Sequence, residues 1–177
     1  MGRIGRSNGA FRISVRVPRH LVRVAAAGTG ADLLFTATDA GNGRDAMIVV
    51  SVSVLPFTLP TGISADQALA AMVRARDRGD RAVVEEFQTA AGHPAIGIRR
   101  IRPGAPREDG RLAVNTGQAQ VLVVYPETGA IGVVSGACRR PGDLNATASL
   151  VAGLVARMRV TAAAPGVAAA APAWIDD

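Results

Sequence analysis

The sequence predicts an α+β fold: an antiparallel β-sheet of six or seven strands covered by two main α-helices. Three observations carry this. Short runs of β-branched and apolar residues recur with turn residues between them. Two stretches repeat apolar residues at helical spacing. The connections between successive strand runs are short, which favours antiparallel neighbours, because parallel ones need long crossovers. Arg81 to Val160 contributes most of the pattern, reading as four strands followed by one amphipathic helix.

Phe11–Val17 alternates strictly, with Phe11, Ile13, Val15 and Val17 on one face and Arg12, Ser14 and Arg16 on the other. That is the pattern of a half-buried strand. Pro18 ends it or puts it at an edge, since proline has no N–H for the ladder. Asp32–Thr38 predicts a second strand, and Asp39-Ala40-Gly41-Asn42-Gly43 a hairpin connection, because Asn and Gly accept positive φ cheaply. Ala46–Leu55 carries β-branched residues on both faces, as a central strand does.

Ser64 followed by Gln67 has the spacing of a capping box. It opens a helix predicted over Ala65–Arg78, with Ala65, Leu69, Met72, Val73 and Arg76 on one stripe and Gly79 just past the end. Ala82–Thr89 and Ala95–Arg102 predict strands around the turn Gly92-His93-Pro94. Pro103–Arg111 reads as a polar, mobile loop. Gln118–Tyr125 and Ala130–Cys138 form a hairpin around Pro126–Gly129. Asp143 or Asn145 caps a last helix, whose stripe runs Leu144, Thr147, Val151, Leu154, Val155 and Met158. The domain reading is a disordered basic N-terminus over 1–10, one α+β domain over 11–160, and a flexible Ala/Pro-rich tail over 161–177.

The 177 residues suit one domain. Apolar residues make up 49% of the chain but aromatics only 3%, so the core is built from Val, Ile, Leu and Ala through many small contacts. One cysteine, Cys138, excludes an intrachain disulfide, and the longest apolar run is too short for a bilayer. With no secretory pattern at Met1–Ala10, a cytoplasmic location is expected.

All 20 basic residues are arginine. Residues 1–30 hold six of them and no acid, whereas residues 31–177 hold fourteen arginines and fourteen acids. The formal charge of +6 therefore belongs to the first thirty residues. Such asymmetry fits an acidic partner, a nucleic acid or an anionic surface, and it also fits a solvated strand face.

Arg12, Arg16 and Arg19 lie in and after the first strand, Arg99, Arg100 and Arg102 on a later one, and Arg139 and Arg140 after a third. If these strand ends meet, they form a basic rim. Nucleic-acid binding usually adds aromatics for stacking, and they are scarce here. A protein partner is thus favoured over nucleic acid. Trp174 and Ile175, after the Ala/Pro segment, form a candidate docking tail. Catalysis finds little support. Cys138 and His93 could form a nucleophile–base pair only if the fold joined them. A buried thiol and a turn histidine are the simpler roles. Two histidines and one cysteine cannot complete a tetrahedral zinc site without carboxylates, and no cofactor is expected.

Residues 46–160 resemble the PsbP-like family in their order of parts. A strand leads into the capped helix Ser64–Arg78, followed by a strand and the turn Gly92–Ala95. The basic strand Ile96–Arg102, a variable loop, the hairpin Val121–Cys138 and the closing helix Leu144–Met158 complete the match. Small actinobacterial members are most similar, including in composition. The resemblance implies an α+β sandwich and a non-enzymatic role as adaptor, assembly factor or chaperone. It supplies no catalytic residues.

Overall fold

The computed structural model describes residues 2–37, 48–76, 82–104 and 115–163. Within them the chain forms ten strands and two helices in two antiparallel sheets. Strands β1 (Gly2–Ser7), β2 (Phe11–Val17) and β10 (Met158–Ala162) make a three-stranded sheet in the order β1-β2-β10. The second sheet has seven strands: β3 (Leu21–Val24), β4 (Leu33–Ala37), β5 (Ile48–Pro56), β9 (Ala130–Cys138), β8 (Thr116–Tyr125), β7 (Pro94–Arg102) and β6 (Ala82–Gln88), in that spatial order. Every pairing is antiparallel.

The predicted alternation of β2 is realised: Phe11, Ile13, Val15 and Val17 are buried, and Arg12 and Arg16 are exposed. Its buried face joins Val50, Val52 and Val54 of β5, Val121 and Val123 of β8, and helix α2 (Leu144–Val155) in one core. Each fully buried valine of this kind stabilises the fold by roughly 1.5–3 kcal/mol before entropy is counted. Helix α1 (Ala65–Arg76) covers the opposite face of the seven-stranded sheet, setting Leu69 and Val73 against Ile96, Ile98, Leu122, Val124 and Ile131. The capping box forms as predicted. Gln67 N–H donates to Ser64 Oγ at 3.2 Å, and Ser64 N–H donates to Gln67 Oε1 at 3.0 Å.

The sequence predicts one sheet, and the structure has two. The reason is long-range pairing: β2 leaves the main sheet and takes its neighbours from the two ends of the fold, β1 and β10. Gly2–Ser7, expected to be disordered, is strand β1, since β2 supplies a ladder that its own composition does not advertise. The closing helix ends at Val155, and Met158 belongs to β10, where it faces Val15. Thr161 and Ala162, assigned to the tail, complete that strand. Asp143 sits before α2 without making a side-chain cap; its carbonyl instead accepts the Thr147 hydroxyl at 2.8 Å. The predicted Asp39–Gly43 hairpin, Gly79, most of the Pro103–Arg111 loop, and Trp174 and Ile175 lie outside the described residues.

A polar tie adds to the shared core in joining the sheets. Asn8, in the β1–β2 turn, donates to Val54 O at 2.9 Å and to Asp32 Oδ2 at 3.2 Å. The same Asp32 oxygen accepts the Val54 N–H at 2.7 Å. The hairpin that carries the basic strands is thereby fixed against β5.

Candidate functional site

The outer face of the three-stranded sheet is basic because β2 alternates. Partners across an antiparallel ladder point to the same side, and β1 sets Arg3 opposite Arg16. On the other flank β10 sets Arg159 opposite Ser14 and Thr161 opposite Arg12. Arg3 donates from Nε to Ser14 Oγ at 2.8 Å, which holds its guanidinium down on the sheet.

This face runs into a cleft of about 570 Å³ between β10 and the β6–β7 turn. Arg3, Arg16, Arg157 and Arg159 line it, together with His93 and Tyr125. Among the described residues no acid lines the cleft, and none of the four arginines makes an ion pair. Arg157 donates to Gly153 O at 3.3 Å within its own helical end. Like charges placed directly across a ladder destabilise it, so Arg3 and Arg16 add a cost that a bound anion would offset. A guanidinium offers a planar fork of donors matched to carboxylate or phosphate.

The far wall is braced by His93. Its Nε2 lies 2.9 Å from Glu127 Oε1, joining the β6–β7 turn to the β8–β9 turn. Its ring is 4.8 Å from that of Tyr125. Gly92, at φ 82°, permits the tight turn that presents His93. Tyr125 is 2% exposed, and burial first, then the charge of Glu127, holds its hydroxyl far above the usual phenol range. The residue is a neutral wall of the cleft.

The expected rim is not one surface. Arg16 is in the cleft, at the Pro94 end of β7. Arg12 lines a second, shallower hollow with Arg3 and Arg6. Arg19 is exposed in the turn after β2. Arg102 stands at the other end of β7, opposite Thr116, and Arg139 and Arg140 follow β9 at that same end. A nine-residue strand separates the two groups by roughly 26 Å. Arg99 is already engaged by Glu85 and by Asn145, and Arg100 donates to Gln118 Oε1 at 2.9 Å. Arg157 and Arg159 are the residues the sequence analysis passed over. The signal was the alternation Met158-Arg159-Val160-Thr161, hidden because Met158 also continues the helical stripe.

The Cys138–His93 pair does not form. Cys138 faces Gly117, at the start of β8, while His93 lies against Tyr125 at its end. Cys138 is 2% exposed, and its thiol donates to Arg140 O at 3.2 Å. Among the described residues no three His, Cys, Asp or Glu side chains group as metal ligands, and no helix is long and apolar enough to cross a membrane. Scans of protein-family models and of curated proteins return no match to this chain.

Proposed function

We propose that this protein is a non-enzymatic binding module, an adaptor or assembly factor that grips an acidic part of a protein partner in the arginine-lined cleft. One observation carries the reading: among the described residues four arginines line one concave site and none of them pairs with a carboxylate. A surface that was merely solvated would spread such charge or pair it. The PsbP-like relationship belongs to the same proposal. It draws support from the α+β architecture, the capped helix before β6, the β8–β9 hairpin and the closing helix. A cytoplasmic site of action is part of it as well.

Nucleic acid is the weaker reading. Sequence-tolerant binding of single strands relies on exposed aromatic platforms beside the basic groove; Phe11, Phe35 and Tyr125 are buried, and the exposed ring of Phe87 lines a different hollow from the arginine-lined cleft.

The test is capture from native extract by the purified chain. A stoichiometric partner should be held by the wild type, released with rising salt, and lost on Arg16→Glu with Arg159→Glu. Arg139→Glu with Arg140→Glu, at the remote end, should retain it. Equal capture by the cleft variant, or no stoichiometric partner at all, sinks the proposal.

A further inference from the structure

Among the described strands β10 is an edge of the small sheet, and the side away from β2 borders the cleft. Ala163 N–H donates to Ala10 O at 2.9 Å. Bonded pairs in an antiparallel ladder recur at every second residue, so Arg159 and Thr161 share their backbone bonds with Ser14 and Arg12. Met158 and Val160 send their N–H and C=O groups the opposite way, where among the described residues no backbone partner meets them. Residues 156–161 line the cleft consecutively. A strand seen only from one face would contribute alternate residues; an unbroken run means that the cleft follows the strand's side.

We propose that the occupant of the cleft is an extended acidic segment of a partner protein, added beside β10 as a fourth strand of the small sheet. This rests on the binding reading above and says how the partner is held. Backbone bonds to Met158 and Val160 give affinity, and side chains alternating between two faces give specificity. Those on one face continue the outer surface and meet Arg159, Arg157 and Arg16, which selects carboxylates. Those on the other face turn toward Tyr125 and the apolar interior, which selects small or apolar residues. The predicted ligand pattern is therefore acid–apolar alternation over about five residues, the length of β10. Charge complementarity chooses the acidic strand, because a neutral or basic one would leave four arginines uncompensated.

The experiment uses the full chain and a fluorescent eight-residue peptide of alternating Glu and Val, read by anisotropy at low salt. Two further peptides carry N-methyl groups on one or the other alternating set of amides, with all charges kept. Strand addition expects saturable binding of the parent peptide. It also expects roughly tenfold weaker binding of one methylated version, and slowed amide exchange at Met158 and Val160. Equal binding of all three peptides, or none by the parent, overturns it. Tripolyphosphate matching the parent peptide, with both methylated versions unaffected, also overturns it and leaves a small-anion cleft. Equal peptide binding by the wild type and Arg159→Glu, with Arg159→Gln as a folding control, would remove the underlying basic-cleft reading too.

Discussion

Tyr125 shows how one side chain turns burial into a measurable pH response. Its folded hydroxyl resists ionisation, first because it is desolvated and then because Glu127 is near. In the unfolded chain it ionises near pH 10. The stability it contributes is therefore complete below about pH 10 and is lost as pH climbs from there toward the folded value, with a slope approaching ~1.4 kcal/mol per pH unit. Urea unfolding at rising alkaline pH should show this loss, and Tyr125→Phe should flatten it. Because the chain has a single tyrosine, tyrosinate absorbance reports the group directly. Cys138 gives a second test at this scale. Its thiol is enclosed between Gly117 and Arg140, so a thiol reagent should label it only on unfolding. Rapid native labelling would show an open site where the structure has a packed one.

At the level of elements, the approach of α2 to β9 depends on a missing side chain. A Cβ at Gly136 would stand 2.7 Å from Thr147 Cγ2 and 2.8 Å from Val151 Cγ2. Both neighbours are fully buried, so neither can swing clear. Gly136→Ala should cost about 1–3 kcal/mol by overpacking, seen as a lower denaturant midpoint at unchanged slope. Ser64→Ala removes one half of the α1 capping box and should cost about 1 kcal/mol. These elements were legible because their signals are local: the Ser64–Gln67 spacing, the alternation of β2, and the turn residues of the β8–β9 hairpin. β1 was not legible. Gly2–Ser7 has little apolar content, and its backbone is satisfied by a neighbour rather than by preference. β3 is four residues long, too short for periodicity to declare itself. The cleft was half legible: Arg16 was visible as an outward residue, but Arg157 and Arg159 become its companions only once β10 turns back along β2.

On the scale of the molecule, much of the excess charge lies on the small sheet, where β1 and β10 flank β2. The first thirty residues carry the net +6, and β10 returns Arg159 to the same surface. The small sheet is therefore held by its buried side against the repulsion of its outer side. Its inner residues Ile13, Val15, Met158 and Val160 belong to the main core, so apolar burial outweighs a repulsion that acts through water. If so, screening should stabilise the free protein. The Debye length falls from about 30 Å at 0.01 M to about 10 Å at 0.1 M salt, so most of the gain should come across that range. We expect the melting temperature to rise by up to about 4 °C, and Arg3→Gln with Arg16→Gln to remove most of the rise while raising the low-salt value. An unchanged salt response in that variant would mean that Arg3 and Arg16 do not repel appreciably, and the outer face would then have no unbalanced charge for a ligand to relieve.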